Sequence, residues 1–503
     1  MPAVVSNLEN NAPTTTTVVV SETITAGRSR HDFRVVAAFW GVASLAVAVL
    51  GAGVLMKPPP ASAIPAFARQ TGQPCATCHT IFPELTPFGR RFKLGGYTMG
   101  GGLTFEQAPP IAAMLVPTFT HTARNQDTPP VPDTHTNNNT ILQQASLFYG
   151  GTIYGNVGAF IQGTYDRATV HTFLDNTDIR YADTTKLLDF DLTYGISVNN
   201  NPTVPDVWNT TPAWGFPYIA ATLAPQFAPP GTLIEGALAG KIVGTGVYTF
   251  WNNMLYLEGS AYQNLSKQTL EALGEPDIGG TTSIRNAVPY LRSGFEFPYG
   301  DSIGGAAPYW RAAFEYNLGD HSFEVGTFGM AANVLPDRVA GFGFNQILDV
   351  GFDAQYQYIG DPHIITARIT HINEQQHLNS SFLQGNSSNV HNTLESFKGS
   401  ISYIYDHTIS LTAAYFSVFG SADAKLFGAN SLANSPDGQG LIFDLAYSPF
   451  MKGGPSLWPW ANARIGVSYT HFLKLFGGVN NFDGAFHNAS QNNTLFAYVW
   501  TAF

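Results

Sequence analysis

Ile401-Ser402-Tyr403-Ile404-Tyr405-Asp406-His407-Thr408-Ile409-Ser410-Leu411-Thr412-Ala413-Ala414-Tyr415 reads as two strands joined by a tight turn. Apolar side chains recur at every second position (Ile401, Tyr403, Tyr405, then Ile409, Leu411, Tyr415), with Ser402, Ser410 and Thr412 between them. That period places successive side chains in two different environments, as strands do. The same texture fills Leu147 to Tyr154, Val247 to Tyr262, Tyr309 to Val325 and Ile347 to Ile369. Turn residues divide these runs at Gly155-Asn156, Asn252-Asn253, Leu318-Gly319-Asp320 and Gly360-Asp361-Pro362. From Leu318 the turns are spaced by about 40–45 residues, and Lys452-Gly453-Gly454-Pro455 continues the series. Two strands of roughly ten residues, one long loop and one short turn fill such a repeat. The polar stretches His121 to Asn139, Asn373 to Asn392 and Gly477 to Asn493 read as exposed loops. Arg311, Glu315 and Arg368 sit within strand-like runs, where they are expected to face a wet lumen rather than lipid.

Composition points the same way. Only 12% of the 503 residues are charged, about half the usual share for a soluble domain, while aromatics make up 13% and Gly contributes 50 residues. A single apolar run reaches the length of a spanning helix, so a helical membrane protein is excluded. The expectation is an all-β fold, an antiparallel outer-membrane β-barrel of about 16 strands over residues 109–503. The final run, Leu495 to Phe503, ends on an aromatic residue, as such barrels commonly do. A soluble sandwich or propeller would need more surface charge or a repeated blade motif.

The one long apolar run is Val35 to Met56, preceded by Arg28, Arg30 and Arg34 and followed by Ala61-Ser62-Ala63. This order makes residues 1–63 a signal peptide cleaved after Ala63, with an uncleaved anchor as the alternative. Removing them leaves 20 basic and 32 acidic residues, a net charge of −12, which argues against nucleic acid as a partner. Membrane lipid is the expected surrounding.

Cys75 and Cys78 are the only cysteines, and both lie in Cys75-Ala76-Thr77-Cys78-His79. The spacing suits covalent attachment of one c-type haem, because two thiols reach the vinyl groups on one porphyrin edge while the adjacent His79 lies over the iron. A periplasmic disulfide, a redox dithiol and half a zinc site are the alternatives. The dithiol lacks a βαβ setting, and the zinc site lacks a second ligand pair. Arg69, Arg90, Arg91 and Lys93 concentrate positive charge nearby, and Arg69, Arg90 and Arg91 are candidate partners for the haem propionates. Solvated charge at the barrel rim is the competing reading. For the distal iron ligand the candidates are Met114 and Met99, with Met114 preferred and an open position as the third option. The haem segment, residues 64–108, is expected to be mostly helical or irregular. It is too short to bury a porphyrin alone, so the barrel must supply a wall. Asn199 to Trp214, rich in Pro, Asn and Trp, is read as an ordinary long loop ahead of a constriction or haem-contacting loop.

Ile64-Pro65-Ala66-Phe67-Ala68-Arg69-Gln70-Thr71-Gly72, the Cys75 to His79 motif, Pro87-Phe88-Gly89-Arg90, Phe92-Lys93 and Gly96-Tyr97 resemble the fused monohaem cytochrome–porin family, whose best known members are outer-membrane iron oxidases. The resemblance covers about 35 residues closely. It implies a small haem domain lodged in or under a porin-like barrel. As a one-electron oxidoreductase it would take electrons from Fe(II) outside the cell and pass them to a periplasmic carrier. Cys75, Cys78 and His79 are the functional residues that carry over. A haem-plugged passive or selective porin, or a conduit for another donor, is the alternative.

Overall fold

The computed structural model describes residues 65–101, 110–274, 290–292, 306–336, 341–454 and 458–503, so the expected signal peptide lies outside the described residues. Among them, sixteen long antiparallel strands close a barrel, from Ile111–Thr122 to Thr494–Ala502. Closure comes from the first strand, which pairs on one side with Asn139–Tyr154 and on the other with the last strand, Met114 opposite Ala502. A three-residue piece, Tyr290–Arg292, adds to the edge of His321–Leu335. Pro117 lies in the first strand where the register shifts, the place in a sheet that tolerates a missing N–H.

The side-chain alternation is inverted relative to a soluble barrel. In Asn345–Ile359, Asp349, Asp353, Gln355 and Gln357 are buried, whereas Leu348 and Phe352 on the other face are exposed. Polar groups inside and an apolar outer surface are what a bilayer requires of a closed sheet. Arg311, Glu315 and Arg368 do point inward, but they are buried in ion pairs rather than solvated.

Short turns gather at one end. Asp406 and His407 both have positive φ, 54° and 55°, as do Asn252 and Asn253 at 53° and 50°, the conformation that follows strand twist in a two-residue hairpin. Leu188-Asp189 makes a further such turn without the usual Gly or Asn signal. The other end carries the long connections. Their expected limits were too wide, because Asn373 to His377 and His391 to Asn392 remain paired strand. Backbone pairing there continues past the point where the sequence turns polar.

The connection 200–241 does not lie outside the barrel. Asn199 to Thr211 are buried almost without interruption, and Trp208 is fully enclosed, which overturns the reading of this segment as an ordinary loop. Its polar side chains find partners inside: Asp206 meets Arg311 at 3.1 Å, and the Trp208 indole N–H donates to Glu315 at 2.6 Å. The lumen supplies the buried charges that Pro-, Asn- and Trp-rich chain needs there.

Candidate haem site

The N-terminal segment folds as three short helices, Pro65–Thr71, Cys75–Cys78 and Pro87–Leu94, as a mostly helical or irregular piece should. Thr86 caps the third, its hydroxyl accepting from Gly89 N–H at 3.2 Å, and Pro87 opens it with a pre-set φ. Gly89 lets this helix lie against the cysteine helix: a Cβ there would stand 2.2 Å from the Cys78 carbonyl oxygen.

This segment sits inside the barrel at the short-turn end. Ala76 N–H donates to Met451 O at 2.8 Å, and His407 Nδ1 lies 2.8 Å from Thr80 O. Deeper contacts reach the wall. Arg90 Nη1 donates to Glu315 at 2.8 Å and Ser322 at 3.0 Å, and its Nη2 reaches Gln355 and Gln357. Glu84 meets Arg368 at 3.0 Å and accepts from Tyr218 at 3.0 Å. Burial alone would raise the Glu84 carboxyl, but the Arg368 guanidinium outweighs it and holds the group below its usual range. Tyr97 donates to Asp178 at 2.6 Å. The segment and the buried stretch Asn199 to Thr211 both lie within the channel.

A cavity of about 420 Å³ remains between them and the wall. It is bordered by Cys75, Cys78 and His79 on the segment, Asp206 and Trp214 on the loop, and Met114, Phe148, Phe160 and Trp500 on the wall. Its volume is that of a small-molecule or cofactor site, and its lining mixes aromatic side chains with polar ones such as Gln144, Gln162, Asp175 and Asn209. Burial pushes the Cys75 thiol up to about 12 and the Cys78 thiol up to about 11. A redox dithiol needs the opposite, a depressed value that yields thiolate, so the dithiol reading loses support. His79 is driven down to about 4 by burial, against the opposing pull of the Pro83 and Glu84 backbone, and is neutral, with its Nδ1 enclosed. Neutral imidazole is the form that ligates iron. Among the described residues no three His, Cys, Asp or Glu side chains cluster as metal ligands, so the zinc reading has no ligand set. Two thiols, an adjacent neutral imidazole and an aromatic cavity against them fit a covalently held porphyrin.

The other expected residues divide. Met114 borders the cavity, while Met99 is 41% exposed and does not. None of Arg69, Arg90 and Arg91 lines it. Arg90 Nη1 and Nη2 are taken by wall side chains, and its carboxylate partner is Glu315. Arg91 points to solvent, and Arg69 bonds the Ile111 carbonyl at the barrel seam beside Trp460. Lys93 does line the cavity, and so do Trp214 and Trp500. Trp214 belongs to the segment for which a haem-contacting loop was the alternative, whereas Trp500 gave no signal, because a lumen-facing Trp and a girdle Trp look the same in a strand pattern.

No protein-family profile matches the chain, and no curated protein does. Solved structures do. The outer-membrane-expressed OmpT of Vibrio cholerae is 10% identical, with 78% of this chain and 96% of that chain covered and a TM-score of 0.37. The OmpF complex with daunomycin from Salmonella typhi is 11% identical, covering 78% and 97% with a TM-score of 0.38. The anion-selective porin from Comamonas acidovorans is 8% identical, covering 78% and 98% with a TM-score of 0.36.

Proposed function

We propose that this chain is an outer-membrane electron-transfer protein of the cytochrome–porin kind, with one c-type haem in the short-turn end of the barrel. The observation that carries the reading is the cavity built directly against Cys75, Cys78 and His79 inside the barrel, with Phe148, Phe160, Trp214 and Trp500 around it. Cys75 and Cys78 would hold the porphyrin by thioethers, His79 would be the proximal ligand, and Met114 the distal one. The haem, when bound, supplies one-electron chemistry. The chain's own part is to orient and insulate. Burial keeps the His79 imidazole neutral, the Met114 thioether would raise the reduction potential relative to a second imidazole, and the aromatic walls keep water away.

In outer-membrane barrels the short turns face the periplasm. That orientation would put the cavity within reach of a periplasmic carrier, which would accept electrons drawn from an extracellular donor, proposed to be Fe(II). The alternatives are a haem-plugged passive or selective porin and a conduit for a donor other than iron; the ion-paired contacts of the segment and of loop 200–241 with the wall count only against a freely open channel. Purified protein tests this directly: pigment retained on a denaturing gel, haem reduced rapidly by Fe(II), and low bilayer conductance are expected together. Open-channel currents with an unreactive haem, or no retained pigment, would reject it.

A further inference from the structure

Lys93 is a buried amine with no carboxylate within ion-pair distance among the described residues. Its Nζ donates to the carbonyls of Val204 at 2.7 Å and Asp206 at 2.8 Å, and it lies 4.6 Å from the centre of the Trp214 ring. When protonated the group has three donors, so the two carbonyls leave one for an added anion. Each nearby carboxylate is engaged elsewhere: Asp178 with Arg180 at 2.7 Å, Asp206 with Arg311 at 3.1 Å, and Glu258 with Tyr256 at 2.8 Å and Ser260 at 2.9 Å. Among the described residues no carboxylate oxygen comes within 4.0 Å of Nζ. Burial pushes this amine down to about 7, with the Arg180 charge adding to the effect. Its charged form, enclosed without an anion, is unfavourable by several kcal/mol, so the group either loses its proton or takes an anionic partner. Lys93 borders the cavity and is the only Lys or Arg among its lining residues.

We infer that Lys93 forms an anion subsite of this cavity, pairing with a carboxylate of the bound ligand and tying it to loop 200–241. This rests on the haem reading, in which the carboxylate is a propionate. The subsite replaces the arginines expected from sequence. It also makes the cofactor a structural joint, because one ammonium then links the helix Pro87–Leu94, the carbonyls of Val204 and Asp206, and the porphyrin edge.

The test uses the full protein in detergent as wild type, Lys93→Gln, Lys93→Met and Lys93→Arg. The amide of Lys93→Gln can still donate to the loop carbonyls but carries no charge; Lys93→Met is a second charge-free variant should the first fold poorly. Haem retention on a denaturing gel is scored first, and its absence in the wild type would defeat the haem reading and this subsite with it. With haem attached, redox titration reads the subsite. A positive charge near the iron favours the reduced form, so Lys93→Gln is expected to shift the reduction equilibrium roughly tenfold toward the oxidised form, about 59 mV for one electron. Lys93→Arg recovers most of the shift, and the ligand-sensitive spectrum stays unchanged throughout. A charge-free variant with the wild-type potential overturns the inference. So does a changed axial-ligand spectrum, which would make Lys93 an iron ligand instead.

Discussion

Replacing Arg90 by Ala isolates the joint between the N-terminal segment and the barrel. The guanidinium is 1% exposed and stands 2.8 Å from Glu315, whose side chain is also enclosed. Removing one member of a buried pair usually costs about 3–5 kcal/mol, because the survivor is left charged in a dry site. Here Glu315 keeps the Trp208 indole donor at 2.6 Å and Asn317 at 2.7 Å. Those bonds move the expected loss to the lower end of the range, about 3 kcal/mol, or roughly a hundredfold in the docking equilibrium. Amide hydrogen exchange in the helix Pro87–Leu94 reads that equilibrium, for example at Arg90 N–H, which is bonded to Thr86 O at 3.0 Å. Exchange through local opening scales with the open population, so these amides should exchange about a hundred times faster while mid-strand amides do not change. Combining Arg90→Met with Glu315→Gln removes the stranded charge and should restore most of the protection. Unaltered protection of residues 87–94 in Arg90→Ala would refute the claim that this ion pair holds the segment in the channel.

Three further outcomes are expected. Met114→Leu should lower the reduction potential and remove the sulfur-to-iron signature from the near-infrared spectrum of the oxidised protein, whereas Met99→Leu should change neither. Gly89→Ala should reduce haem attachment and destabilise the segment by about 1–3 kcal/mol, since its Cβ would meet backbone rather than a movable side chain; gel staining and thermal melting would read both. Trp208→Ala should cost loop 200–241 about 3–5 kcal/mol of anchoring and raise single-channel conductance, and an unchanged current would argue that the loop is held elsewhere.

The barrel was legible because its signal is local and repeated. Ile401 to Tyr415 states the strand period and the turn within one stretch, and the inward polar, outward apolar rule follows once the surroundings are lipid. Loop limits were less legible, as Asn373 to His377 shows, because backbone pairing does not depend on where polar side chains begin. Leu188-Asp189 gave no warning of a turn, since its positive φ values are imposed by the hairpin rather than invited by Gly or Asn-Gly. At the candidate site, the Cys75 to His79 motif stood out by spacing alone. Arg90 did not disclose its partner, which lies 225 residues further along the chain.

Sequence by itself determined the elements whose cause is short-range: strand alternation, hairpin turns, the thiol–thiol–imidazole spacing, and a charge content too low for a water-facing surface. Only the tertiary structure decided what fills the channel. Closing the sheet brings Glu315, Arg311 and Arg368 around one lumen, and those fixed charges select Arg90, Asp206 and Glu84 as occupants. The same closure turns Met114 and Lys93 toward the cavity and leaves Met99 and Arg91 outside it. Burial and charge pairing are properties of the assembled enclosure, and no window of adjacent residues contains them.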